Sequence, residues 1–432
     1  MPSAGASKGH KARLSSSPLA KPETIAHQLA AEIQDYLHFP DPGPLYVTLG
    51  AIAANMMCGR PVWLMLVGAS SSGKTEVLMG MNGIPGMHMA EDLSGPGALL
   101  SGVAKRDVEK GATGGLLRKV GAHGGIIMED FTSSVMKLPR ETRDQILTAF
   151  RLAYKGRWSR DIGTGGGKTL VWEGKLAALA GGTPAIDRLT AEVSELGERW
   201  VYYRFPKTDG WGESRTSLQN QNPREGARKV QEAIKAFFDV LDLRWPCQIE
   251  GDYACKTKHE HFEEREKRKF TVGEYTRLIG MASLAAKMRS SIYRHPYSRE
   301  IEDVPSPEAP PRLANTLGQL YLGLELIGLD EAERWRLIGK VAFDSVPEVR
   351  ARVVRACWHA ALEGKGSTGR TGSVVGIAEL KAALDCSEAT VKRVIEDLAA
   401  HRIVKRGGKN VVLTESAMEE LKKNFSLGLK LR

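Results

Sequence analysis

The chain has 432 residues, 42% of them hydrophobic and 26% charged, a length that allows two or three domains with a sizeable core. Its 61 Lys and Arg against 51 Asp and Glu leave a net charge of +10, which favours a polyanionic partner. No apolar run approaches the roughly 18 residues a bilayer-spanning helix needs, so the pattern excludes such helices.

Residues 1–22 are basic and rich in Ser, Ala and Gly, without the apolar stretch of a secretory signal, and are expected to form a disordered arm. The five cysteines are scattered, so reduced thiols in a cytoplasm are the expectation. Residues 23–60 hold two helices. The first, over 24–37, carries Ile25, Leu29, Ile33 and Leu37 at helical spacing and ends at the Pro- and Gly-rich stretch 38–44; the second covers 46–57.

From 61 to 210 the pattern alternates strands, helices and glycine turns, as an α/β core does. The apolar run Val62–Val67 leads into Gly68, Ala69, Ser70, Ser71, Ser72, Gly73, Lys74 and Thr75, a full G-x-x-x-x-G-K-[ST] phosphate loop. Backbone N–H groups of such a loop point at phosphate oxygens, Lys74 reaches the β/γ-phosphates, and the Thr75 hydroxyl ligates Mg²⁺. ATP and Mg²⁺ are therefore the expected cofactors. A second strand, 125–128, ends in Glu129 and Asp130; by position Glu129 is the metal acid, with Thr75, and Asp130 the base that polarises water.

Residues 155–173 form strand, glycine turn and strand, with Gly165–Gly167 supplying the turn and Lys168 beside it. The strand 176–182 places Thr183 as a polar sensor of the γ-phosphate. The following stretch, 196–205, supplies an arginine for a neighbouring subunit's nucleotide, Arg199 first and Arg204 second. Helices follow over 219–243, 271–293 and after the Pro-rich break 304–311, where Arg312 opens a helix and could contact the nucleotide from a lid. Residues 211–363 make up this lid and its linker region. Within 247–261, Cys247, Cys255, His259 and His261 could hold Zn²⁺, although their spacing is unusual for a zinc finger.

The stretch 364–372 is a Gly- and Ser-rich flexible linker to a separate module, 364–432. Helix 375–384, a turn at Asp385–Cys386, a helix capped by Ser387 and a two-stranded wing over 403–413 resemble a winged helix-turn-helix. Thr390, Lys392 and Arg393 would then face a DNA major groove, and Lys405, Arg406 and Lys409 would meet phosphates; such modules also mediate protein contacts.

Taken in order, the pieces between about 45 and 325 resemble an AAA+ ATPase: an α/β P-loop core with a helical lid, followed here by the winged-helix domain. They look most like the branch with an insertion before the acidic strand (here 93–121) and a hairpin before the sensor strand, which contains MCM helicases and enhancer-binding transcription activators. The resemblance implies a ring, a hexamer in those helicases, with ATP shared between subunits. It also implies a pore hairpin whose basic tip, Lys168, grips a nucleic-acid backbone. A DNA helicase or translocase, with replication proteins as further partners, is the reading favoured; a transcription regulator that remodels a protein, or a helicase loader, stands as the alternative.

Overall fold

The computed structural model describes residues 22–37, 40–90, 93–102, 114–163, 167–187, 199–206, 210–219, 222–245, 268–290, 292–295, 297–363 and 374–425. The zinc candidates, Cys247, Cys255, His259 and His261, and the tip residues 164–166 lie outside them. Among the described residues, no group of three or more His, Cys, Asp or Glu is placed to hold a metal ion, and no helix is long and apolar enough to cross a membrane.

Helix α1 (Pro22–Ile33) and helix α2 (Gly43–Met56) precede strand β1 (Trp63–Val67) and helix α3 (Lys74–Gly80). Strand β2 (Met87–Met89), the short helices α4 (Pro96–Leu99) and α5 (Leu116–Val120), and strand β3 (His123–Met128) come next. Helices α6 (Phe131–Met136) and α7 (Arg140–Tyr154) lead to the hairpin β4 (Arg157–Ile162) and β5 (Lys168–Glu173). Strands β6 (Lys175–Gly182) and β7 (Trp200–Arg204) complete a five-stranded parallel sheet in the order β2-β3-β6-β1-β7.

Both faces of this sheet are covered, so its strands are apolar throughout rather than alternating with polar residues. Period-two alternation still decides which layer each residue enters. Leu64 and Leu66 point into one core cluster with α2 and α3, while Trp63, Met65 and Val67 enter the other, with Ile146 and Phe150 of α7. Trp63 is the hub of the second layer, with ring centroids 5.1 Å from Tyr154, 5.7 Å from Phe150 and 5.2 Å from Trp200.

Helices α8 (Trp211–Gln219), α9 (Pro223–Val240) and α10 (Val272–Arg289) follow the sheet. Asn222 and Thr271 cap the last two. The helix expected to reach residue 293 ends at Arg289; the chain turns extended at Ser290 and forms a small hairpin, β8 (Tyr293–Arg294) and β9 (Ile301–Asp303). Three helices succeed it: α11 (Pro311–Leu326), α12 (Glu331–Asp344) and α13 (Glu348–Glu363). All 14 residues of α2 are buried between the sheet and α11. The two helices touch backbone to backbone: a Cβ on Gly323 would stand 2.1 Å from the Gly50 carbonyl oxygen. Lys175 at the start of β6 donates to the carbonyls of Met57 (2.6 Å) and Ala54 (3.3 Å), tying the end of α2 to the sheet.

The C-terminal part begins with β10 (Val375–Gly376), which pairs with a later strand, so the first helix starts at Ile377 rather than Val375. Helix α14 (Ile377–Leu384), a turn with Asp385 at φ 50°, helix α15 (Glu388–Ala400), strands β11 (Val404–Gly407) and β12 (Asn410–Leu413), and helix α16 (Glu415–Phe425) follow among the described residues. The expected separate module is instead packed on the preceding helices. Phe425 meets Phe343 edge-on at 6.0 Å, and the Arg277 guanidinium donates to the Asn424 carbonyl at 3.0 Å. Arg350 and Arg294 share the carboxylate of Asp397, at 2.9 Å and 2.5 Å. One hydrophobic cluster runs from α2 to α16, so the Gly- and Ser-rich composition of 364–372 does not mark an independent core.

Candidate active site

Three parallel strands end side by side, and their C-terminal ends carry the chemistry. Val67 lies beside Gly182 and Met128 beside Ala180. This register brings the loop after β1, the acids after β3 and Thr183 after β6 to one edge. The Gly68 N–H donates to the Gly182 carbonyl at 3.1 Å, and the Thr183 N–H donates to Thr132 Oγ1 at 3.0 Å. A Cβ on Gly68 would meet Ser72 Oγ at 2.7 Å and Phe205 at 3.1 Å, so this residue lets the loop close against the strand.

The loop has the geometry of a phosphate cradle. Gly73 is left-handed (φ 83°), with open space where a Cβ would be, and Ser71 is also left-handed (φ 61°). Ala69, Ser70, Ser71 and Thr75 are exposed, while Ser72 and Gly73 are half-buried. Lys74 is only 8% exposed, and its ammonium curls over the loop, donating to the Ala69 carbonyl (2.5 Å) and Ser72 Oγ (3.1 Å). Burial lowers the Lys74 pKa from its ordinary value; the negative charges of Asp130 and then Glu76 oppose that shift. Asp130 caps α6, accepting from the Ser133 N–H at 2.9 Å, which fixes its carboxylate at this edge. Glu129 is exposed at the same edge. Open backbone donors, a lysine, a threonine hydroxyl and two carboxylates are a donor set that fits a nucleoside triphosphate with Mg²⁺.

The arginines are elsewhere. Arg199 precedes Trp200, which pairs with Trp63, so it stands at the N-terminal edge of the sheet, away from this chain's phosphate loop. Its guanidinium lies 5.7 Å from the Tyr154 ring centroid. Tyr154 also lies 3.3 Å, hydroxyl to hydroxyl, from Thr316, one turn along α11 from Arg312. Arg312 itself is bonded to Glu308 at 3.2 Å.

Arg204 corrects the sequence reading. It ends β7 with its side chain 8% exposed, held by Asp187 at 2.6 Å and 3.1 Å and by the carbonyls of Asp344 (2.8 Å) and Val346 (3.2 Å). Its backbone N–H donates to Asp344 Oδ2 at 2.7 Å, and Lys340 donates to its carbonyl at 2.8 Å. Edge strands leave unpaired backbone groups, and β7 meets its own with side chains of α12. Arg204 is thus a strut between sheet and helices, not a group offered to a neighbour. Nothing local in the sequence signals this, because its partners lie 17 and 140 positions away.

The hairpin β4–β5 forms as expected, with Ile162 opposite an exposed Lys168. It packs on the segment before the acidic strand: Arg160 donates to the Leu100 carbonyl at 2.9 Å and Trp172 to that of Gly121 at 2.8 Å. In the C-terminal part, Thr390 is tied to Ser387 (2.9 Å) and Lys392 to Glu388 (2.6 Å), while Arg393 is exposed. Lys405, Arg406 and Lys409 are exposed on β11 and the adjoining turn.

No protein-family model matches the chain, and no curated protein matches it. Among solved structures, it is similar to a Cytophaga hutchinsonii protein named "putative ATPase", at 13% identity and a TM-score of 0.40, covering 75% of this chain and 86% of that one. It is also similar to the C-terminal region of NrS-1, at 11% identity and a TM-score of 0.25, covering 90% of this chain and 76% of that one. Both are loose superpositions, and the functional reading rests on this chain's own residues.

Proposed function

We propose that the chain is a Mg²⁺-dependent ATPase of the AAA+ class that works on DNA as a ring-forming helicase or translocase. The observation that carries this is the division of catalytic groups between opposite edges of one sheet. The cradle, Glu129, Asp130 and Thr183 lie at the C-terminal edge, while Arg199 stacks on Tyr154 at the other, and Arg312 lies one helical turn from Thr316, which Tyr154 touches. Five strand residues at about 3.3 Å each separate the two edges, which supports assigning the arginines to the nucleotide of another subunit rather than to this chain's own. Bound at the cradle, ATP with Mg²⁺ supplies the scissile phosphoanhydride. Lys74 and the loop N–H groups would neutralise phosphate charge, and Thr183, at the same edge, would be the polar group nearest the terminal phosphate.

Asp130 is held in place as the cap of α6 while Glu129 is exposed at the open edge, so we assign Asp130 to the metal side and Glu129 to the water, the reverse of the order-based expectation. The test is a pair of variants. Glu129→Gln keeps Mg²⁺-stimulated ATP binding and loses hydrolysis by on the order of 10²-fold or more, whereas Asp130→Asn loses the Mg²⁺ stimulation itself. The opposite pattern restores the original assignment; full hydrolysis in both variants removes the site. The net charge of +10 and the exposed basic residues Lys405, Arg406 and Lys409 of the β11–β12 hairpin and Lys168 on β5 support DNA as the polyanion. Strand displacement by wild type, lost in Lys168→Ala while ATP turnover continues, is the motor's signature; DNA binding without displacement is that of a loader.

A further inference from the structure

We propose that the β8–β9 hairpin and α15 together form a cleft for single-stranded nucleic acid; this deepens, and rests on, the reading of DNA as partner. Ala389, Lys392, Arg393 and Glu396 form one solvent-side face of α15, at spacings of three and four residues. A helix that reads a major groove needs that face bare, because the groove must close around it. Here residues 298–301 of the hairpin stand across from it and leave a cleft of about 480 Å³. The hairpin is fastened there by Arg294, which bonds Asp397 at 2.5 Å and Glu396 at 3.0 Å.

What remains in the cleft suits a flexible polyanion. Arg294 is balanced by its two carboxylates, and Lys392 by Glu388 at 2.6 Å. Arg299 and Arg393 line the cleft, both are exposed, and neither takes part in an ion pair among the described residues; Glu300 is the opposing charge on the hairpin side. Arg299 is held left-handed (φ 63°) at the turn, with its N–H donating to the His295 carbonyl at 3.0 Å. Tyr297, beside the lining residue Ser298, is 91% exposed, an aromatic ring that the core does not use. Guanidinium groups that follow a backbone, next to an aromatic face on which a base can stack, are the elements of a single-strand platform. The hairpin stands across α15 where the wall of a duplex groove would have to pass.

The test is fluorescence anisotropy of a labelled thymidine oligonucleotide, single-stranded or annealed, with full-length protein in a Lys168→Ala background that removes the other hairpin's contribution. Tyr297→Ala is expected to weaken single-strand binding on the order of tenfold, and Arg299→Glu by at least as much with a shallower salt dependence. A uridine oligonucleotide distinguishes RNA from DNA as the source of the strand. Single-strand binding unchanged in both variants, or a preference for the duplex, overturns the proposal. ATP turnover of the wild type is measured separately: its absence with oligonucleotide binding intact removes the ATPase reading and leaves the cleft standing.

Discussion

Replacing Lys74 with alanine is expected to abolish steady-state ATP hydrolysis, a fall on the order of 10²–10³-fold or greater in phosphate release. The size follows from the position of the ammonium. The Lys74 side chain packs into the loop with its ammonium partly buried, it already donates to two atoms of the loop that would surround the phosphates, and it feels the negative charge of Asp130. In water a lysine contributes little to the stabilisation of a phosphoryl group; held by a preorganised loop in a partly desolvated site, it contributes much more. Unfolding of Lys74→Ala should stay close to wild type, because the ammonium's partners, a carbonyl and a hydroxyl, can turn to water at the open loop. Hydrolysis that survives the substitution would mean that the loop is a structural turn.

Arg204→Ala is expected to have the largest effect on stability, a loss of about 3–5 kcal/mol, measured as a lower urea midpoint with an unchanged slope. The side chain satisfies Asp187 with two N–H groups and joins the last strand to α12 and to the turn before α13. Truncation leaves the Asp187 carboxylate, whose side chain is 19% exposed, without its counter-charge. Arg204→Lys should recover only part of the loss, since an ammonium cannot reproduce the two-pronged bond. A midpoint within experimental error of wild type for Arg204→Ala would show that the residue is available for another role, including the trans contact that the sequence suggested.

The contrast between these two residues shows where local pattern is informative. Lys74 belongs to an eight-residue signature that follows an apolar strand, so the loop's place at the strand end, with Gly73 left-handed, can be read without knowledge of the fold. The acids after β3 are legible for a similar reason: an apolar strand that ends in carboxylates has few uses beside a phosphate loop. Arg204 sits in an equally regular pattern, yet its role depends on Asp187 and Asp344, which only the assembled sheet and helices bring near. The docking of the C-terminal part was hidden in the same way. Its composition suggested a tether, whereas Phe425 against Phe343 and Asp397 between two arginines are contacts over tens of residues of separation. The β8–β9 hairpin was obscured because its residues continue the apolar pattern of α10 before turning extended.

Calorimetric titration of the wild-type chain with ATP, with and without Mg²⁺, addresses the nucleotide site at its root. The predicted result is saturable uptake of one nucleotide per chain, tightened by Mg²⁺ and abolished in Lys74→Ala. A wild-type chain that takes up no nucleotide, or a Lys74→Ala chain that binds ATP as tightly as wild type, would contradict it.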